Sequence, residues 1–258
     1  MRVPARFRRV CTLAVFHRVF PSHPLVVAAN RDEYLARAAA PPTLLREAPV
    51  RAVGGLDLAA GGTWLGLAET GLVVGVLNRK SGALPDPTRR SRGLLCLELL
   101  GASGARAAAT ALSAEPPGRY NPCNLLVADG SEAFVASTTG DGALRVEPLP
   151  PGLHLLTNLD LNDPTCPRIA ASHQGFAAAG AAFAADGDVA ALVGRLRLVL
   201  ADHATALDPR GPGSLCLHFP AYGTRSSTVL VVPREGRPLH YFHADGPPCR
   251  TPLVPVEF

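Results

Sequence analysis

Between Cys11 and Glu33 the chain runs Cys-Thr-Leu-Ala-Val-Phe, turns through Phe20-Pro-Ser-His-Pro24, and returns as Leu-Val-Val-Ala-Ala before four consecutive polar residues, Asn30-Arg31-Asp32-Glu33. Two short apolar segments around a Pro-containing turn predict a pair of strands. The abrupt change of polarity constrains the fold, because an apolar strand ending in such a cluster places fixed hydrogen-bonding groups at the mouth of a core. Side chains alternate in an extended chain, so Asn30 and Asp32 share one face and Arg31 and Glu33 the other. Cys11 opens the first strand, which puts a thiol beside the cluster. The competing reading is packing alone, since free cysteine is among the most buried residue types.

Further along, Ala36 to Arg51 is rich in Pro and Ala and reads as irregular. Thr63–Leu67 and Leu72–Leu77 predict a hairpin around Glu69-Thr-Gly71, ending in Asn78. Trp64 lies in this Gly-framed hairpin, where a core role competes with a ligand platform. Arg79 to Arg92 is a polar loop, long enough for a lid. Helices are expected over Gly93–Leu100 and Ala105–Ala114, stopped by Pro116-Pro117. A strand meander follows at Asn124–Ala128, Ala133–Ala136 and Ala143–Val146, then a strand over Gly152–Asn158. Two more helices fall at Ala170–Ala185 and Asp188–His203, the second with Asp188 as N-cap. Thr228–Val232 and Leu239–Phe242 close the pattern before a Pro-rich tail. Strands come in clusters with helices between them, which predicts an α+β fold of largely antiparallel sheets in one domain.

Composition excludes several classes. The 258 residues carry a formal net charge of +4 with arginines scattered along the chain, a poor footprint for nucleic acid. No apolar stretch reaches the roughly 18 residues of a membrane-spanning helix. The 6 cysteines form no C-x-x-C pair and mostly sit in apolar runs, which fits reduced, packed thiols in a bacterial cytoplasm. The 8 histidines are dispersed, so metal ligation is not expected. There is no P-loop, no G-x-G-x-x-G after a strand, no H-E-x-x-H and no G-x-S-x-G. The dominance of Arg, Ala, Gly and Pro over the single lysine, Lys80, suggests a GC-rich genome, in which GTG can serve as a start codon. Val10 directly precedes Cys11. Residues 1–10 are therefore expected to be a mis-assigned start or a removable leader, with one domain over residues 11–258.

What does recur is a strand ending in a polar group: Asp32, Asn78, Asn158, and Arg225 just before the strand at Thr228. Four strand ends can converge beside Cys11. The blocks Cys11-Thr-Leu, Asn30-Arg31-Asp32-Glu33, Gly-Gly-Thr63-Trp64-Leu-Gly66, Asn78, Tyr120-Asn-Pro-Cys-Asn124, Leu-Thr-Asn158 and Tyr-Gly-Thr224-Arg225-Ser226-Ser227-Thr228 together resemble the NRDE-motif family, also called the transport and Golgi organisation protein 2 family. Members normally begin Met-Cys, in keeping with a start at Val10. Pro122-Cys123 departs from the family's usual Gly-Phe.

That family is in turn similar to N-terminal-nucleophile hydrolases of the penicillin V acylase and bile-salt hydrolase type. The resemblance implies a four-layer αββα sandwich and a catalytic set of Cys11, Asp32, Asn78, Asn158 and Arg225. Asn30, Arg31, Glu33, Trp64 and Asn124 would bind substrate or support the site. The Arg that opens the hydrolases' R-N-x-D pattern is replaced by Ala29. In this reading a free α-amine on Cys11 takes the thiol proton, Asp32 holds the amine, and Arg225 depresses the thiol pKa. Asn78 donates to the oxyanion, and Asn158 supports it or the amine. The function so implied is amide hydrolysis of a small-molecule or lipid-like ligand, with no cofactor required. Because members have been connected with haem mobilisation and lipid metabolism, the alternative is a haem- or lipid-binding trafficking protein on the same fold, with haem as ligand. Oligomeric state is not legible in the sequence.

Overall fold

The structure, a computed structural model, describes residues 11–203, 213–234 and 238–257; the expected start region 1–10 lies outside them. Among the described residues, thirteen strands and four helices alternate in clusters. The opening pair is β1 (Thr12–His17) and β2 (Leu25–Tyr34), and β2 continues through the polar cluster instead of stopping at Ala29. There follow β3 (Ala39–Arg46), β4 (Ala52–Asp57), and the expected hairpin β5 (Thr63–Ala68) and β6 (Val73–Asn78). Helices α1 (Arg92–Leu99) and α2 (Ala105–Ser113) precede the meander β7 (Cys123–Ala128), β8 (Ala133–Thr138) and β9 (Leu144–Pro148). Then come β10 (Gly152–Leu156), α3 (Pro167–Asp186), α4 (Val189–Leu200), β11 (Tyr222–Val232), β12 (His240–Ala244) and the short β13 (Val254–Pro255).

The strands form two sheets, antiparallel at every pairing. One has the order β10-β1-β2-β11-β12-β13, the other runs β3 to β9 in chain order. Leu13, Val27, Leu65, Leu77, Leu126 and Leu230 fill the space between the sheets. Phe16, Val26, Phe176, Phe183, Leu196 and Val229 fasten α3 and α4 to the outer face of the first sheet. Leu72, Val74, Leu99, Ala108, Leu112 and Leu125 do the same for α1 and α2 on the second. The result is an α+β protein with the αββα layering implied by the resemblance. Strands covered on both faces have no solvent side, which is why all six residues of β1 are buried and its sequence is nearly continuous in apolar character.

The segment read as irregular, Ala36 to Arg51, is corrected: its central half is β3. Its Pro41-Pro42 lack the N–H a central strand needs, but β3 is the edge of its sheet and its register shifts between Ala40 and Thr43. The N-cap of α4 follows the sequence signal, whereas α3 starts three residues earlier than expected, at Pro167. The Asp188 side chain accepts from the Ala191 N–H, Pro167 takes the first turn of α3, and Gly187 ends that helix in the left-handed conformation.

Candidate active site at the start of β1

Cys11 sits one residue before β1, half-buried, and its thiol donates to the main-chain carbonyl of Asp32 at 3.7 Å. It opens onto a cleft of about 330 Å3, mouth included, lined by Leu13, Ala29, Arg31, Trp64, Leu77 and Thr228 among others. The walls come from both sheets: β1, β2 and β11 on one side, β5 and β6 on the other. The Arg31 guanidinium stacks 4.1 Å from the centroid of Trp64, and burial lowers its pKa. Arg31 is 7 % exposed, and among the described residues its Nη1 has no hydrogen-bond partner. A buried guanidinium with an unused donor at a cleft wall is suited to an oxygen of a ligand.

Alternation along β2 works as the sequence predicts. Arg31 faces the inter-sheet cleft, while Asn30 and Asp32 face the helical layer. Asp32 is fully buried and paired with Arg168 of α3 at 2.7 Å, and it accepts from the Thr224 hydroxyl at 2.6 Å. Burial pushes its carboxyl above the ordinary carboxylate range, against the pull of Arg168 and Thr224. Arg168 also donates to the Thr12 hydroxyl at 3.0 Å, so one guanidinium ties the residue after Cys11 to Asp32. Sequence reasoning missed Arg168. It lies in the first turn of an Ala-rich helix whose start was placed at Ala170, and nothing in its neighbourhood marks it as an internal cation.

The other expected residues divide. Thr228 lines the cleft, whereas Arg225 occupies the register shift between Thr224 and Ser226 in β11, half-buried, its Nε without a hydrogen-bond partner among the described residues. Asn78 follows Val76 and Leu77, two lining residues, at the end of β6. The β1–β10 ladder ends with Leu13 paired to Leu156, and Asn158 follows two residues past the end of β10. The Asn158 carbonyl accepts from the Lys80 N–H at 2.7 Å, joining the ends of β10 and β6. The polar strand ends thus gather at one end of the sandwich.

Asn30 and Asn124 have other work. Asn30 donates to the carbonyls of Leu200 and Leu215 at 2.8 and 3.0 Å and accepts from the Ser227 hydroxyl, pinning α4 and the approach to β11 onto β2. Asn124 donates to the carbonyls of Thr157 and Leu159 at 2.9 and 2.7 Å, which fastens the loop that carries Asn158. Glu33 accepts from the Tyr34 N–H and lies 3.8 Å from Arg37.

One expectation is corrected. The Cys11 thiol, expected to be depressed by Arg225, is pushed up to about 12, first by burial and then by the Asp32 charge. The neighbouring cation that opposes this is Arg31, not Arg225. A group of potential metal donors lies elsewhere in the fold. His203, Cys216, His218 and Cys249 converge with their donor atoms all within 4.8 Å. They come from three separate segments of chain, so no compact sequence motif announces them.

The layered sheets and helices define the N-terminal-nucleophile hydrolase fold. A solved structure, the Caenorhabditis elegans N-acylethanolamine-hydrolyzing acid amidase orthologue, superposes with a TM-score of 0.59 at 17% identity, over 86% of this chain and 92% of that one. Penicillin V acylase from Agrobacterium tumefaciens is similar at a TM-score of 0.49 and 15% identity, over 91% and 83% of the two chains. At the family level the assignment is direct. The family model for Transport and Golgi organisation 2 matches residues 10–243, and the Transport and Golgi organization protein 2 homolog of Bos taurus is 32% identical over 238 residues, 82% of this chain and 83% of that protein. The chain belongs to the Transport and Golgi organisation 2 family.

Proposed function

We propose that this protein is an N-terminal cysteine amidohydrolase acting on a non-peptide C–N bond of a small or lipid-like amide. The observation that carries the reading is the position of Cys11: its thiol opens on a narrow, mostly apolar cleft between the sheets, with the buried Arg31 guanidinium on the wall. The fold is shared with an amidase that hydrolyses N-acylethanolamines, which favours an acyl chain in the cleft and an amine leaving group at its mouth.

In the chain as written, Cys11 follows Val10 in a peptide bond and its nitrogen is not basic. Release of the Cys11 amine creates the missing base, with a pKa of about 7.7 to 8.0. That amine takes the thiol proton, and the sulfur attacks the amide carbonyl to form a C–S bond and a tetrahedral oxyanion. Arg31 or Asn78 donates to this oxygen; a donor of this kind contributes about 3 kcal/mol. Collapse breaks the C–N bond, and the ammonium proton passes to the departing amine. A water molecule, deprotonated by the same α-amine, then attacks the thioester; the C–S bond breaks, and the acid and free thiol are released. Asp32, its side chain held by Arg168 and Thr224, offers the main-chain carbonyl that accepts from the Cys11 thiol.

The second reading, a non-catalytic haem or lipid carrier, draws on the same cleft and on the elevated thiol pKa, which disfavours nucleophilic attack while residues precede Cys11. One experiment separates the two. The full chain, a chain beginning at Cys11, and that shorter chain carrying Cys11→Ser are assayed against N-acyl amides, N-acylethanolamines included, and titrated with haem and with free fatty acid. Amine release by the Cys11-first protein alone is the expected result. No release by any of them, together with saturable haem or fatty-acid binding, overturns the hydrolase reading.

A further inference from the structure

Away from the cleft, on the side of the first sheet that carries α4, two thiols and two imidazoles meet. His203 lies just past the end of α4, Cys216 and His218 on the segment that leads into β11, and Cys249 in the loop after β12. The separations have the signature of a tetrahedron. With metal–sulfur bonds of about 2.3 Å and metal–nitrogen bonds of about 2.0 to 2.1 Å, tetrahedral angles require about 3.8 Å between two sulfurs and about 3.6 Å between sulfur and nitrogen. Cys216 and Cys249 are 3.7 Å apart at sulfur, and Cys216 Sγ lies 3.6 Å from His218 Nε2; Cys249 Sγ is somewhat nearer that nitrogen, at 3.2 Å. A disulfide would need the two sulfurs at about 2.05 Å.

The surroundings prepare the ligands. His203 Nδ1 is 2.9 Å from the Cys216 carbonyl, which fixes that nitrogen as the N–H donor and leaves Nε2 as a lone-pair ligand. An imidazole oriented through its second nitrogen is the usual outer support of a metal-bound histidine. The Asp202 carbonyl accepts from the N–H groups of Leu215 and Cys216, locking the two ligand segments together.

We propose that His203, Cys216, His218 and Cys249 form a closed, four-coordinate structural zinc site. Two sulfurs and two nitrogens in a tetrahedron select zinc over harder cations, and four protein ligands leave no open position for catalysis. The site also braces the candidate active site. Leu217, between two of the ligands, donates its N–H to the Thr224 hydroxyl at 2.9 Å, and that hydroxyl donates to Asp32. Zinc thereby joins α4, the C-terminal loop and the strand that carries Arg225 at one point, whether or not the cleft is catalytic.

The full chain, purified under reducing conditions without chelator, is analysed for metal and titrated with cobalt after zinc removal. Expected are about one zinc per chain and, with cobalt, the intense ligand-field bands of a tetrahedral ion together with thiolate-to-cobalt charge transfer. Cys249→Ser should remove the charge-transfer intensity in part and weaken cobalt binding about 100-fold or more. His203→Gln, a change outside the thiols, should do the same to affinity while keeping both sulfur contributions. Substoichiometric zinc with no tetrahedral cobalt spectrum in the wild type overturns the proposal. So does a Cys216–Cys249 disulfide recovered by mass spectrometry from protein whose thiols were blocked at lysis.

Discussion

At the scale of single residues, the decisive contact joins Asp32 of the polar cluster to Arg168, which lies outside every sequence motif. Asp32 and Arg168 are both buried, at 0% and 3% side-chain exposure, and each leaves the other compensated. Removing one partner strands a charge inside the protein, which typically costs about 3–5 kcal/mol, whereas removing both costs far less. Arg168→Met should therefore lower the urea unfolding midpoint sharply, and Asp32→Asn with Arg168→Met should recover much of the loss. If Arg168→Met alone unfolds within about 1 kcal/mol of wild type, the pair is not the internal support described here. Cys11 offers a second measurement. Pushed up to about 12, its thiol loses more than about 1,000-fold in thiolate fraction at neutral pH; with the greater nucleophilicity of a more basic thiolate offsetting part of this, in the full chain it should alkylate about 100-fold more slowly than an unperturbed cysteine. Iodoacetamide labelling followed by peptide mapping reads the rate, and labelling as fast as a free thiol would show that the cleft is more open or more cationic than its geometry implies.

At the scale of elements, the close approaches are set by glycine. A Cβ on Gly55 in β4 would lie 2.2 Å from the Trp64 ring on β5, the same ring that carries Arg31. Gly55→Ala should push the indole off its seat at a cost of about 1–3 kcal/mol and loosen the Arg31 stack. Trp64 is the only tryptophan in the chain, so its emission reports the cleft wall directly. A red shift in Gly55→Ala is expected; an unchanged spectrum would mean that the ring has room the packing does not suggest. Gly62 has a different constraint. Its φ of +77° is in the left-handed region, and a Cβ there would meet the Gly93 carbonyl carbon at 2.1 Å, so this glycine lets α1 close against the turn between β4 and β5.

At the scale of the whole molecule, four layers bury polar groups that a thinner fold would leave wet, and stability becomes dependent on pH. His243, on β12, is 4% exposed with Nδ1 3.0 Å from the Thr228 hydroxyl, and burial lowers its pKa from 6.5 to about 4. Between those two values the unfolded chain binds more protons than the folded one, so stability falls as pH falls. From pH 7 to pH 5 the loss from this residue should be about 2 kcal/mol. Urea unfolding at the two pH values measures it, and His243→Gln should flatten the dependence. A His243→Gln protein that loses as much stability as wild type would assign the effect to other groups.

The sequence by itself determined the order of most strands and helices, the cap at Asp188 and the α+β class. These are local or periodic properties: alternation, capping and turn chemistry act over a few residues, and the polarity change at Asn30 is visible in one strand. It misread Ala36 to Arg51 because edge strands tolerate Pro41-Pro42, and being an edge is a property of the sheet. Only the tertiary structure decided that Asp32 is neutralised by Arg168 from the helical layer, 136 residues away. It also decided that Arg31 rather than Arg225 is the cation beside the thiol, that the thiol is raised rather than depressed, and that His203, Cys216, His218 and Cys249 share one point. The reason in each case is the same. Charge compensation, desolvation and metal geometry depend on distances across the core, and segments far apart in the chain supply the partners.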